Sequence, residues 1–233
     1  MIFKTERQLQ TRLAQLVFDS FPEYPISFAR REVRVGGCIP DLVSIHFDKD
    51  PNIHPWPSRW SYRHSFTVWL LRYRPLSVDE IASAFFEPAN KVKPIVDHLI
   101  SNQIAFMNKS NKISLNQHIQ RDFQANVVAV EAKLKDWRQA LNQAIRYKDF
   151  ANTVFVAMDA SAIPHSKAQQ DMFRAEKIGL CAVLDFSHEW VVNPVIREDG
   201  VGHEKEYLLM SAAIPTTQRL WARRNSRNAS NQA

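Results

Sequence analysis

Asn126-Val-Val-Ala-Val-Glu131-Ala-Lys133 is an apolar run that ends in an acid and a base. In a β-strand alternate residues share a face. Glu131 and Lys133 therefore point the same way as Val127 and Ala129, while Val128, Val130, Ala132 and Leu134 point the other way. The run reads as a strand buried on both sides until its end, where two charges leave it together. Such a pair needs a partner, and a metal with a phosphate is one.

Upstream, Gly36-Gly-Cys-Ile-Pro-Asp-Leu-Val43 carries a single carboxylate on another apolar run. Ser27–Val35 and Ile39–Phe47 read as a hairpin turning at Gly36-Gly37, where double glycine permits a tight connection. Asp41 then shares a face with Ile39, Val43, Ile45 and Phe47, a costly place for a carboxylate without a partner. Residues 4–21 show helical spacing of Leu9, Leu13, Leu16 and Val17, with Pro22 past the end. Glu6 falls on the buried stripe of that helix, either favoured by the helix dipole or aimed into a site.

Downstream, Asp136 caps a predicted helix reaching Lys148, with Trp137, Leu141, Ala144 and Ile145 as its buried stripe. Gln143 and Tyr147, four apart, lie on a border of that stripe. Lys135 and Arg138 lie nearby and serve equally as phosphate contacts or surface charge. A strand over Asn152–Met158, a helix over Ser166–Lys177, a strand over Ile178–Phe186 after a glycine C-cap and a further strand within Glu189–Arg197 complete the run.

Between these halves the composition changes. Asp50-Pro-Asn-Ile-His-Pro-Trp-Pro57 reads as a linker. Helices follow over Trp60–Arg72, Leu76–Phe85 and Asn90–Gln103, the second with a Ser77/Glu80 capping box. Ile104–Met107 and Ile113–Leu115 form a hairpin with the polar tip Asn108–Lys112. Pro94 is expected in the first turn of its helix, where it is tolerated. Asn90, Lys91 and Lys93 crowd that helix start, where positive charge opposes the macrodipole. A phosphate backbone would explain them.

The pattern Pro40-Asp41 … Glu131-Ala132-Lys133, with its flanking elements, resembles the PD-(D/E)xK superfamily of restriction-endonuclease-like nucleases over about residues 1–48 and 120–195. Residues 58–117 resemble a winged helix-turn-helix domain. Asp41 and Glu131 stand 90 residues apart, and removing 49–119 leaves a gap of ordinary length. The resemblance implies an α/β fold, a central mixed sheet flanked by helices, with an inserted winged-helix domain. It implies a nuclease-like core over 1–48 and 119–221 with the insertion over 49–118, while residues 222–233, polar, basic and aperiodic, read as a disordered tail. It further implies Mg²⁺, replaceable by Mn²⁺, held by Asp41, Glu131 and the carbonyl of Ala132. Lys133 would orient or deprotonate a water, Glu6 would stand behind these ligands or at a second metal, and Gln143 and Tyr147 would position DNA or site residues. Asn90, Lys91 and Lys93 would touch DNA.

Composition sets wider bounds. Thirty Lys+Arg against 24 Asp+Glu give +6, a balance that favours a polyanionic partner only modestly. Cys38 and Cys181 lack the spacing of a zinc site or disulfide framework, and the eight histidines show no ligand pair, which fits a reducing cytosol. No apolar run approaches the roughly 18–20 residues of a membrane span, so a cytoplasmic protein is expected. The leading expectation is a metal-dependent endonuclease acting on duplex DNA, easiest as a homodimer or with a partner protein if both strands are cut. The alternative is a DNA-binding or regulatory subunit on a nuclease fold. A transcription regulator would leave the buried carboxylates unexplained.

Overall fold

The computed structural model describes residues 2–48, 60–117, 119, 125–197, 203–213 and 222–225. The chain divides into two compact units. One holds residues 1–48, 125–202 and 220–233, the other 49–124 and 203–219.

In the first unit, helix α1 (Glu6–Ser20) starts at Thr5, whose side chain accepts the Gln8 N–H. Strands β1 (Ile26–Arg31) and β2 (Leu42–Phe47) follow as an antiparallel pair. Gly36 and Gly37 take positive φ, and Val35 and Cys38 exchange both backbone hydrogen bonds around them. This is the tight turn expected, but the ladder is shorter than Ser27–Val35 against Ile39–Phe47. Glu32 at φ 52° breaks the extended chain at the end of β1. Ile39 is consequently half exposed, and Asp41 lies just before β2 instead of within it.

In the second unit, helices α2 (Tyr62–Tyr73), α3 (Val78–Ala84) and α4 (Ala89–Ser101) precede a two-stranded sheet of β3 (Ala105–Met107) and β4 (Ile113–Leu115). Ser77 and Glu80 form the expected reciprocal cap of α3. Val92, Ile95, Val96 and Leu99 form the buried stripe of α4, with Ile100 only partly buried. Because α4 begins at Ala89, Pro94 falls in its second turn, not its first, and removes the bond its N–H would have made to the Asn90 carbonyl. The proline-rich linker lies outside the described residues.

The chain returns to the first unit with β5 (Ala125–Lys133), α5 (Trp137–Tyr147), β6 (Thr153–Asp159), α6 (Lys167–Ala175), β7 (Gly179–Val183) and β8 (His188–Val192). The mixed sheet has order β8-β7-β6-β5-β2-β1, with β9 (Ala222–Asn225) on its edge. Strands β5, β6 and β7 run parallel; β2 lies antiparallel to β5 and β8 antiparallel to β7. Right-handed parallel crossovers put α5 and α6 on one face, consistent with the Trp137–Phe173 ring contact. Leu9, Leu13, Leu16 and Val17 of α1 bury against Leu42, Val128, Val130, Ala132 and Phe155 on the other. Asp159, fully buried at the end of β6, accepts the N–H groups of Ile2 and Phe3 and so ties down the chain before α1. Burial pushes its pKa up, but hydrogen bonds from Ser161, Phe3 and Ile2 outweigh that and leave it below the ordinary value.

Three expectations change here. The segment 203–213 forms helix α7 (His203–Ala213), which packs on α2 and groups with the second unit, not with the core assigned over 119–221. The tail expected to be disordered contributes Ala222–Asn225 as a strand on β1; backbone pairing needs no apolar pattern. The rest of that tail lies outside the described residues. Left-handed Lys177, not Gly179, ends α6, and Gly179 serves close packing within β7. Among the described residues no helix is long and apolar enough to cross a membrane.

Candidate active site

The register Leu42 opposite Val130 brings Asp41 beside the end of β5. Asp41 Oδ2 accepts the Ala132 N–H at 2.7 Å, and Oδ1 accepts Gln10 Nε2 at 2.6 Å. Its own carbonyl accepts the Glu32 N–H, so the backbone at Asp41 stays tied to β1. Across the strand end, Glu131 is 2% exposed. Its Oε2 accepts the Tyr147 hydroxyl at 2.5 Å, and its Oε1 lies 3.4 Å from Lys133 Nζ. Lys133 Nζ also stands 3.8 Å from Glu6 Oε1.

Helix α5 reaches this point because Asp136 caps its start through the Gln139 N–H and its buried residues, Ala140, Leu141, Ala144 and Tyr147, face the sheet. Tyr147 is thus fully buried and not a border residue, while Trp137 and Ile145 are only partly buried. Gln143 lies one helical turn before Tyr147 on the same face. Its Oε1 is buried with no hydrogen-bond partner, and it bonds neither carboxylate. Glu6 is also corrected: its side chain is 46% exposed, at the rim of the site and off the buried stripe of α1. It is the first residue of the helix, three ahead of Leu9, where the dipole favours an acid.

The electrostatics follow from burial. Desolvation raises the Asp41 pKa, opposed by the Ala132 N–H, Lys133 and Gln10. Desolvation also pushes Glu131 up to about 7; the Asp41 charge adds to this, while Tyr147 and Lys133 oppose it. Burial, then the Glu131 carboxylate, raises Tyr147, which remains a proton donor at ordinary pH.

Among the described residues no group of three or more His, Cys, Asp or Glu gathers to hold a metal ion. Mg²⁺ asks for less, taking one or two carboxylates and keeping several waters. Asp41 and Glu131 supply hard oxygens, each oxygen with one hydrogen-bond or ion-pair partner and lone pairs to spare. Because the Ala132 N–H faces Asp41, its carbonyl leaves the strand on the same side. This donor set fits Mg²⁺.

Asn90, Lys91 and Lys93 are brought to the exposed start of α4 in the second unit. Lys93 Nζ pairs with Asp97 Oδ2 at 2.7 Å, an i,i+4 contact that accounts for Lys93 without DNA. Lys135 and Arg138 are exposed, and the Arg138 guanidinium lies over the Trp137 ring. Gln10 escaped the sequence reading, although it sits four residues after Glu6 on α1 and shares its edge. No protein-family model matches the chain, and neither does any curated protein or solved structure.

Proposed function

We propose that the chain is a metal-dependent nuclease of the restriction-endonuclease-like kind that hydrolyses phosphodiester bonds in DNA. The observation that carries this reading is the convergence of Asp41, Glu131 and Lys133 at the open end of β5. The order helix, hairpin, central strand, helix, strand around them supports it, being the order in which the resemblance places these residues. The helices and hairpin of the second unit follow winged-helix order and support docking of a duplex.

Hydrolysis joins a water oxygen to phosphorus, breaks the bond to the leaving oxygen and delivers a proton to that oxygen. Asp41, Glu131 and the Ala132 carbonyl would hold Mg²⁺, which supplies charge neutralisation and a more acidic water. Lys133, bonded to Glu131 and near Glu6, is placed to orient that water or steady charge on the phosphoryl oxygens. Tyr147 holds the Glu131 carboxylate, and Gln10 and the Ala132 N–H hold that of Asp41. Incubation of the pure protein with plasmid, linear and branched DNA, with and without Mg²⁺ or Mn²⁺, tests the reading. Asp41→Ala and Glu131→Ala should each abolish cleavage; near-normal cleavage in either would sink it.

A second reading, a DNA-binding or regulatory subunit that does not cut, has its own support. Every carboxylate oxygen of Asp41 and Glu131 already has a hydrogen-bond or ion-pair partner within the protein. Such a network holds the strand ends together without a metal. DNA binding with no metal-dependent nicking would favour it.

A further inference from the structure

Three carboxylates, Glu6, Asp41 and Glu131, meet one lysine at this site, and Lys133 is engaged by two of them. A polyanion approaching such a group is repelled unless other cations stand close. Two exposed arginines lie on the elements that hold Asp41, β1 and α1. Arg31, exposed at the end of β1, is paired in register with Leu42, the neighbour of Asp41. Its Nη1 donates to Thr11 Oγ1 at 3.4 Å, and Thr11 Oγ1 donates to the Arg7 carbonyl at 2.8 Å. Thr11 follows Gln10, the residue that holds Asp41. Arg7, exposed one helical turn earlier, adjoins Glu6.

Neither guanidinium is neutralised. Among the described residues Arg7 and Arg31 enter no ion pair, whereas Arg63, Arg74, Lys93, Lys148 and Arg174 each have a carboxylate partner. One long hydroxyl contact leaves nearly all the donors of Arg31 available, and the guanidinium fork matches a phosphate.

We propose that Arg7 and Arg31 form a phosphate-gripping rim on the Asp41 side of the site, where they hold the backbone of duplex DNA. That the gripped chain is a substrate rests on the nuclease reading; the binding does not. The test uses the whole protein in chelator, so that nothing is cut, and follows anisotropy of a labelled short duplex against salt. Arg7→Ala with Arg31→Ala should weaken binding and make the slope of log K against log salt shallower by roughly 1.8, about 0.9 per lost phosphate contact. Arg7→Lys with Arg31→Lys should keep most of the slope, because the charge remains; loss of slope in both pairs overturns a charge role. Unchanged affinity and slope in the alanine pair also overturn the rim, even if the wild type nicks DNA with Mg²⁺. Weakened binding in a protein that never nicks leaves the rim standing and removes the nuclease reading. Wild-type binding to vesicles of anionic lipid but not to the duplex overturns the proposal.

Discussion

Glu131 binds its proton more tightly in the folded chain, at about 7, than its ordinary 4.5. A carboxyl with a raised folded pKa contributes stability that is complete below the unfolded value and is lost as pH rises through the folded one. The difference is of the order of 3 kcal/mol between about pH 4.5 and pH 7. Metal-free wild type should therefore lose stability relative to Glu131→Gln, which is neutral throughout, when urea unfolding is compared at about pH 5 and about pH 8. Parallel behaviour of the two proteins would mean that Glu131 is ionised across this range. Lys133→Ala should lose at least ~10²-fold in turnover, the scale of a positioned acid–base or electrostatic group. It should retain Mn²⁺ binding by calorimetry in alkaline buffer, where Glu131 has shed its proton. Collapse of Mn²⁺ affinity with turnover intact would reverse the roles given to lysine and carboxylates.

Elements whose ends are set locally were legible in the sequence. Ser77 with Glu80, Asp136 and Ser166 cap helices through their own side chains. The turn at Gly36-Gly37 and the strand carrying Glu131 follow equally from local pattern. What needs tertiary contact was not legible. The depth of Tyr147 depends on α5 meeting β5 and β6, the early end of β1 on an unusual φ at Glu32, and the role of Gly179 on which atoms approach it. A Cβ at Gly179 would stand 2.9 Å from Phe155 Cβ and 2.9 Å from Pro194 Cβ, with Pro194 Cα at 3.1 Å. Backbone and a buried strand residue have little room to yield. Gly179→Ala should destabilise the protein by about 1–3 kcal/mol, the usual scale of overpacking. An unchanged urea midpoint would show that the 194 segment moves aside freely.

Across the whole molecule, residues 49–124 leave the first unit and return to it between neighbouring strand ends. Phe47 pairs with Ala125 in the β2–β5 register, a separation that a short hairpin turn closes. The insertion was legible because composition changes after Asp48; the return of α7 was not, because nothing in residues 203–213 announces that their partner is α2. Leu208 and Leu209 are buried in that helix, and it belongs with the second unit. Replacing residues 49–124 by an Asn-Gly turn should therefore leave the sheet able to fold but strip α7 of its cover. That shortened chain should bind a hydrophobic dye and aggregate, and Leu208→Asn with Leu209→Asn should relieve both effects while a cooperative thermal transition survives. Loss of cooperative melting in both shortened chains would mean that the sheet depends on the second unit for its stability.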